Sequence, residues 1–424
     1  MNKSDSERIA TVLESKGYKE ASNINEADVI VVNMCSVRQS AVDRVYGKIR
    51  DLTKLKNKNS RLRQGSGLQT KPKIILTGCI LKKDKQKFRE RFDEIWENKN
   101  YINIKPKCKK GPLSYVPISN GCNNACAYCV VPFTRGPLKC RNHKDILKEV
   151  KNAVRKGANP IRNEISNGAR EIWLLGQNVN DYQSPADSSI NFAKLLKMVN
   201  DISGKFWIRF TSPHPNDFSD ELIETMAKCQ KVTPYLNLPV QSGDDKILKK
   251  MNRPYTISAY KNLVKKIREK NPDINLSTDV IVGFPGETKK QFENTVKLFK
   301  EIKFDMAYIA KYSPRPGTAA AKLKDNVPHR EKERRWKILN VILKQTAQDH
   351  NKKYIGKTVE ALTEEEKNGF LIGKTLTYKT VKFLPRSEPK ALLRGEGGKN
   401  LIGKFVKVKI IDALPWGLKG KLVS

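Results

Sequence analysis

Residues 119–136, "SNGCNNACAYCVVPFTRG", place Cys122, Cys126 and Cys129 on one short loop in a C-x3-C-x2-C array. A cubane iron–sulfur cluster that only carries electrons uses four cysteines, so three cysteines leave one iron open to another ligand. A structural zinc ion would need a fourth protein ligand, for which Cys140 or His143 is available. The spacing favours an iron–sulfur cluster with an open iron, and zinc is the alternative.

Around this loop, a strand–loop–helix pattern repeats between residues 112 and 346. Apolar and β-branched runs mark six candidate strands, at 113–119, 170–179, 205–212, 235–242, 275–284 and 305–313. Helical patterns follow most of them, which predicts a parallel sheet, either open or closed into a partial (βα)6 barrel of the TIM type. Polar segments follow the strands, at the end where barrel enzymes keep their sites. The segment 158–167 is predicted to be a surface loop.

Residues 1–105 alternate helical and strand signals and predict a smaller α/β domain. Two strand-like runs in it, "ADVIVVNMC" and "KIILTGC", end at Cys35 and Cys79. Ligands gather beyond the carboxyl ends of parallel strands, so we expect these thiols to converge; two buried apolar cysteines are the alternative. The polar, glycine-containing segment 57–73 between the runs predicts a mobile loop.

Residues 354–424 consist of short strand-like pieces separated by Gly, Pro and Asn, which predicts a small antiparallel β barrel. Alternation in "KFVKVKI" puts Lys407 and Lys409 on one face, with Lys404 close by. This basic face suits a nucleic acid, and a merely solvated lysine face is an equal alternative.

Composition points to an acidic partner. The 424 residues carry a formal net charge of +38, which favours nucleic acid, although a general bias toward lysine would raise the charge too. The sequence has no apolar run of membrane-spanning length and no apolar segment of a secretory signal, so we expect a cytoplasmic protein, most simply a monomer. Eight cysteines in a reducing compartment indicate metal or redox chemistry.

The segment "CNNACAYC" resembles the cluster loop of radical S-adenosylmethionine (radical SAM) enzymes. Further motifs occur in this order along the chain: "MNKSDSERI", "VVNMCSVRQSA", "LTGC", "CVVPFTRG", "LLGQNVNDY", "FTSPHPNDFSDELI", "LPVQSGDDKILKKMNRPYT", "STDVIVGFPGET" and "KYSPRPGTAA". Together they resemble the radical methylthiotransferases, most closely those that act on isopentenyladenosine in tRNA. The resemblance covers nearly the whole chain and implies three domains: an N-terminal α/β domain (1–105), a radical SAM partial barrel (112–346) and an RNA-binding barrel of the TRAM type (354–424).

The resemblance also implies two 4Fe-4S clusters and S-adenosyl-L-methionine as cofactors. The three-cysteine loop would hold the first cluster, whose open iron binds the amino and carboxylate groups of S-adenosylmethionine. Tyr128 would lie near the adenine. The strand-end residues Gln177, Ser212 and Gln241 are expected to contact cofactor or substrate, although each could equally cap a strand end.

Cys35 and Cys79 match two of three cysteines that hold the second 4Fe-4S cluster in this family, which takes part in sulfur delivery. The implied reaction places a methylthio group on C2 of a modified adenosine beside the anticodon. The implied partners are a tRNA anticodon loop, a reductant such as flavodoxin or ferredoxin, and a sulfur donor that the sequence does not identify. Sibling enzymes act on threonylcarbamoyl-adenosine in tRNA or on a ribosomal protein aspartate; the basic terminal barrel favours RNA.

The third cysteine of the second set stands, in the family, just upstream of the segment with which this chain begins, "MNKSD". We expect a start further upstream, because loss of a buried strand would damage the sheet. In the alternative, Cys108 or Cys140 replaces the missing ligand. As written, the chain is expected to cleave S-adenosylmethionine but to lose methylthiolation.

Overall fold

The computed structural model describes residues 1–37, 39–62, 72–97, 101–107, 111–155, 157–159, 164–166, 168–384 and 401–423. The α-helices in these ranges are α1 (Asn2–Ser15), α2 (Gln39–Leu62), α3 (Lys82–Phe88), α4 (Val131–Arg135), α5 (His143–Val154), α6 (Phe192–Asn200), α7 (Asp220–Lys228), α8 (Asp245–Lys250), α9 (Ile257–Lys270), α10 (Lys289–Ile302) and α11 (His329–Lys352).

The strands of the first half of the chain are β1 (Val29–Cys35), β2 (Lys73–Cys79), β3 (Glu94–Ile95), β4 (Leu113–Pro117), β5 (Ser119–Asn120), β6 (Lys139–Cys140), β7 (Gly157–Asn159), β8 (Glu164–Ser166), β9 (Glu171–Leu175), β10 (Gln183–Ser184) and β11 (Asp187–Asn191). Those of the second half are β12 (Trp207–Phe210), β13 (Tyr235–Asn237), β14 (Asn275–Val282), β15 (Met306–Lys311), β16 (Thr358–Lys367), β17 (Phe370–Thr375), β18 (Thr380–Leu384), β19 (Phe405–Leu414) and β20 (Gly417–Leu422). Backbone contacts divide the chain into two compact units, each built from several stretches of sequence.

The first unit combines Met1–Lys109, Ser119–Arg141 and Ser313–Leu323. Its sheet has the order β1-β2-β3, and all strands are parallel. Apolar side chains of β1 and β2 pack against α2 in one buried cluster, which explains the β-branched runs. In the β1–β2 register Cys35 lies directly beside Cys79, which confirms that the two cysteines are neighbours at the carboxyl ends of their strands.

Gly78 makes this close pairing possible. Its φ is +108°, and a Cβ at this position would lie 2.1 Å from the carbonyl oxygen of Met34. Only glycine adopts such a conformation without strain, and no side chain fits the space. The residue before Cys79 is therefore dictated by the approach of the two strands.

The predicted loop at 57–73 begins later than expected. Helix α2 continues to Leu62, so the first part of that segment is helical and the prediction was wrong there. Residues 54–62 contain neither Gly nor Pro, and the first strong helix breaker is Gly65. Residues 63–71 lie outside the described residues.

The second unit combines Lys110–Ile118, Asn142–Tyr312 and Lys324–Ser424. Six parallel strands form its core, in two hydrogen-bonded groups of order β12-β9-β4 and β13-β14-β15. A parallel bridge between Ile208 and Val232, just before β13, links the groups. Each strand lies within one of the six predicted runs, which confirms the partial barrel. All five residues of β9 are buried, as in a parallel strand that is covered on both faces.

The segment 158–167 is not simply a loop. β7 and β8 pair antiparallel across it, with Gly157 opposite Ser166 and Asn159 opposite Glu164. Backbone groups of a connection gain hydrogen bonds by pairing with each other, and this explains the hairpin. Residues 160–163 and 167 lie outside the described residues.

The last strands close into a barrel of order β16-β17-β18-β20-β19. Every pair is antiparallel except β18 and β20, which run parallel. Lys407 and Lys409 are exposed and alternate with buried Val408 and Ile410, and Lys404 is exposed as well. The basic face predicted from the alternation is therefore present.

The turn between β17 and β18 anchors this terminal barrel to the six-stranded core. Buried Arg209 on β12 donates to the carbonyl oxygens of Thr375 and Leu376, each at 3.0 Å. The same guanidinium pairs with Glu171 at 3.0 Å, and both side chains are fully buried. Tyr378 of the turn packs against the ring of Tyr235, 4.6 Å between centroids. Among the described residues, no helix is both long enough and apolar enough to cross a membrane.

Candidate cluster and substrate site

The three-cysteine loop is shaped by its own backbone. Cys122 N–H donates to the carbonyl of Gly136 and Cys129 N–H donates to that of Cys126, at 3.3 and 3.0 Å. Gly121 closes the loop with a φ of +82°, at a point where a Cβ would lie 2.1 Å from the carbonyl oxygen of Pro137. The three cysteine residues are half-buried.

The donor set of this loop fits an iron–sulfur cluster. The backbone N–H of Val131 donates to Cys129 Sγ at 3.5 Å, a contact that stabilises a thiolate ligand. The residues that the structure describes contain no group of three or more His, Cys, Asp or Glu side chains arranged around one metal ion. In a cubane each thiolate binds a different iron, so three cysteines of one loop can hold three irons and leave the fourth open.

A second group of thiols lies in the same unit, at the ends of β1 and β2. Arg135, the last residue of α4, donates from Nε to Cys79 Sγ at 2.9 Å. It also donates to the side-chain oxygens of Asn120 at 2.8 Å and Asn2 at 3.1 Å. The helix that follows the three-cysteine loop thus contacts the strand-end cysteine directly.

Arg135 is held by a buried carboxylate. Asp5 on α1 accepts from Arg135 Nη2 at 2.8 Å, and the two side chains are only 4% and 3% exposed. A hydrogen bond with Cys35 and burial both raise the pKa of the Cys79 thiol, whereas the Arg135 charge opposes that rise. Cysteines bind iron as thiolates, so the positive charge of Arg135 beside Cys79 favours the thiolate form that binds metal.

Another arginine reaches the same region from the segment Ser313–Leu323. Arg315 donates to Gln39 Oε1 at 2.7 Å at the start of α2, and burial lowers the pKa of its guanidinium. The backbone N–H of Ala320 donates to the carbonyl of Ala127 inside the three-cysteine loop, at 2.7 Å. This segment therefore contacts both the start of α2 and the three-cysteine loop.

In the second unit, the predicted contact residues lie at the carboxyl ends of core strands. Gln177, Ser212 and Gln241 each follow a strand by a few residues and are half-buried. Ser212 and Gln241 have φ angles of 59° and 68°, which non-glycine residues rarely adopt. Such strain persists where the surroundings enforce it, often at functional sites. Tyr128 belongs to the first unit and is half-buried in the cysteine loop.

Sequence reasoning missed His214, which lies among the same strand ends. Its backbone N–H donates to Asn180 Oδ1 at 2.8 Å, and its carbonyl accepts from Asn180 Nδ2 at 2.9 Å. Its Nδ1 accepts the backbone N–H of Asn216 at 3.3 Å. Burial and the charge of Arg253 lower the pKa of His214 to about 4, so the ring is neutral and its 3.8 Å approach to Asp217 is not an ion pair.

Arg135, Asp5 and Arg315 were missed as well. Arg135 and Arg315 stand in the quoted motifs "CVVPFTRG" and "KYSPRPGTAA", so a basic residue in each was the available signal. Of the substitute ligands considered, Cys140 lies on β6, which pairs with β5 just before the cysteine loop. Cys108 lies outside the described residues.

Three family models match this chain. Residues 116–299 match the radical SAM superfamily, residues 1–96 match the uncharacterized protein family UPF0004, and residues 352–423 match the TRAM domain. In fold, the chain is similar to the radical S-adenosylmethionine methyltransferase TsrM from Kitasatospora setae, with a TM-score of 0.53 and 13% sequence identity. That match covers 75% of this chain and 73% of TsrM.

Curated relatives match along the whole chain. The tRNA-2-methylthio-N(6)-dimethylallyladenosine synthase of Clostridium novyi is 38% identical over 100% of this chain and 94% of its own length. The enzyme of the same name from Carboxydothermus hydrogenoformans is also 38% identical, over 100% of this chain and 97% of its own length. The chain therefore belongs to the radical SAM family of tRNA-2-methylthio-N(6)-dimethylallyladenosine synthases.

Proposed function

We propose that this chain is a tRNA methylthiotransferase that converts N6-isopentenyladenosine beside the anticodon to its 2-methylthio derivative. The observation that carries the proposal is the full-length match to synthases of this name, combined with a three-cysteine loop that follows the first strand of a six-stranded parallel barrel. The TRAM match over the terminal barrel and its exposed lysines support an RNA substrate.

In this proposal Cys122, Cys126 and Cys129 hold a 4Fe-4S cluster through their thiolates. When bound, the cluster and S-adenosylmethionine supply the radical chemistry that activates an unreactive C–H bond. Tyr128 packs near the cofactor adenine, and Gln177, Ser212 and Gln241 orient cofactor or substrate. The target base must leave its stack to present C2, which a single-stranded anticodon loop permits.

Cys35 and Cys79 are proposed as ligands of a second 4Fe-4S cluster, which serves sulfur delivery. Their side-by-side register and the Arg135 contact to Cys79 support this role. A cation that donates a hydrogen bond to a ligand thiolate stabilises the more reduced, more negative form of a cluster. Electrons are expected from a small donor such as flavodoxin or ferredoxin, and the enzyme is proposed to act as a monomer in the cytoplasm.

The test uses anaerobically reconstituted protein, S-adenosylmethionine, dithionite and tRNA that carries isopentenyladenosine. Formation of 5′-deoxyadenosine, abolished in Cys126→Ala, reports on the first cluster. Formation of 2-methylthio nucleoside, detected by mass spectrometry, reports on the second. No 5′-deoxyadenosine from iron-loaded protein would contradict the proposed function. Absence of the 2-methylthio nucleoside from protein that does form 5′-deoxyadenosine would contradict the proposed methylthiolation step.

A further inference from the structure

The imidazole of His214 has one ring nitrogen without a protein partner in the described part of the chain. Nδ1 accepts a backbone N–H, so in the neutral ring the hydrogen is on Nε2. Nε2 is buried and makes no hydrogen bond, while the residue as a whole is 6% exposed. A buried donor without an acceptor is costly and rare in native proteins, and it calls for an explanation.

The position of His214 indicates what could supply that acceptor. It follows β12, its backbone is held by Asn180 from the segment after β9, and its ring packs edge-on to Tyr255 at 5.8 Å. The Tyr255 hydroxyl donates to the carbonyl of Val240, beyond the end of β13. Groups from three neighbouring strand ends thus surround His214, at the end of the strands where barrel enzymes keep their sites.

We propose that His214 binds a purine ring nitrogen of a bound adenosine through its Nε2–H. A neutral donor fits a neutral acceptor of this kind, because an anionic ligand would draw a proton onto the ring instead. The cationic Arg253 and buried surroundings keep the imidazole neutral. The inference rests on the proposed function, in which two adenosines are bound: the one in S-adenosylmethionine and the target nucleoside of the tRNA.

A merely structural role is the competing explanation, since Nδ1 caps the turn at Pro215–Asp217. Two substitutions separate the roles. His214→Asn keeps an acceptor near the position of Nδ1 and removes the Nε2 donor. His214→Gln places an amide N–H near the position of Nε2 and weakens the cap. The binding role predicts that Gln preserves function, whereas the capping role predicts that Asn does.

The experiment measures two quantities on reconstituted wild-type protein and both variants. The first is the KM of S-adenosylmethionine for 5′-deoxyadenosine formation without tRNA. The second is the Kd of a fluorescent anticodon stem–loop that carries isopentenyladenosine. We expect His214→Asn to weaken one of these by roughly tenfold, the loss of one hydrogen bond, and His214→Gln to restore most of it. The quantity that changes identifies which adenosine is bound.

Melting temperatures of the variants show whether folding is retained. The inference would be overturned if His214→Asn changed neither the KM of S-adenosylmethionine nor the Kd of the stem–loop. It would also be overturned if His214→Gln alone weakened either of them. A second stem–loop carries a deaza-adenosine, in which one purine ring nitrogen is replaced by carbon. If the target base is the ligand, loss of the nitrogen that accepts from His214 weakens stem–loop binding to the wild type. The same loss leaves the affinity of the His214→Asn variant unchanged. Failure of the wild type to cleave S-adenosylmethionine would count against the proposed function and not against His214.

Discussion

At the residue scale, the Arg135–Asp5 pair is the most consequential contact that the sequence did not reveal. Both side chains are buried, and Arg135 also donates to Cys79. Replacement of Arg135 by Met leaves a buried carboxylate without its counterion. We expect Arg135→Met to lower the free energy of unfolding by about 3–5 kcal/mol, measured by denaturant titration. Iron bound per chain after reconstitution should fall as well.

Arg44 offers a matched control, because it is exposed and its Nε donates to a backbone carbonyl in its own helix. Arg44→Met should change stability by less than about 0.5 kcal/mol. The double variant Asp5→Leu/Arg135→Met leaves no buried charge without its counterion, so its free energy of unfolding should partly recover. If the loss of stability in the double variant equals the sum of the losses in the two single variants, the Arg135–Asp5 ion pair does not account for the effect.

His214 also predicts a pH dependence of stability. Burial and the charge of Arg253 lower its pKa from 6.5 to about 4. Between pH 6.5 and pH 4 the imidazole is therefore protonated in the unfolded chain and neutral in the folded chain. Stability from the neutral ring is present above pH 6.5 and is lost as the pH falls to about 4, by up to about 3 kcal/mol.

The measurement compares unfolding free energies of the wild type and His214→Gln across this range. The variant lacks the titrating group, so its stability should fall less steeply with acid, while carboxylates common to both proteins cancel in the difference. Parallel curves for the two proteins would show that the ring is not held neutral.

At the scale of elements, the β1–β2 pair depends on Gly78. An alanine there meets the Met34 carbonyl and must adopt a φ near +108°. We expect Gly78→Ala to destabilise the protein by more than about 2 kcal/mol and to reduce iron binding at the strand ends. Gly47 is the control: it lies within α2 with open space around it, and Gly47→Ala should stabilise by about 0.5–1 kcal/mol. Equal effects of the two changes would contradict the account.

The elements themselves were largely predictable, and the contacts between them were not. Local signals identify the six barrel strands, because parallel strands are continuous apolar runs. The three-cysteine loop is also local, since all its thiols lie within one turn of chain. The roles of Arg135 and His214 depend on contacts with residues far away in sequence, Asp5 and Tyr255 among them. A single sequence does not show such contacts. The end of α2 was misplaced because lysines and asparagines weaken a helix without ending it.

At the scale of the whole molecule, the charge of +38 predicts strongly salt-dependent tRNA binding. Each phosphate contact adds about 0.7–0.9 to the slope of log K against log salt concentration. Lys404, Lys407 and Lys409 form the exposed face of the terminal barrel. Changing all three to Gln should reduce the slope by about 2, measured by fluorescence anisotropy with full-length tRNA.

Three other exposed lysines serve as the control, each already paired with a glutamate: Lys228, Lys265 and Lys270. Changing these to Gln removes the same charge from helices of the core barrel and should leave the slope nearly unchanged. If both triple variants lower the slope equally, the terminal barrel has no special part in binding RNA.

The proposed reaction leaves its product in the tRNA of the cell. Mass spectrometry of nucleosides from total tRNA, with and without this gene, measures it directly. We expect loss of the gene to remove the 2-methylthio group from isopentenyladenosine and to leave the level of 2-methylthio-threonylcarbamoyl-adenosine unchanged. An unchanged level of 2-methylthio-isopentenyladenosine, or loss of the threonylcarbamoyl derivative instead, would contradict the account.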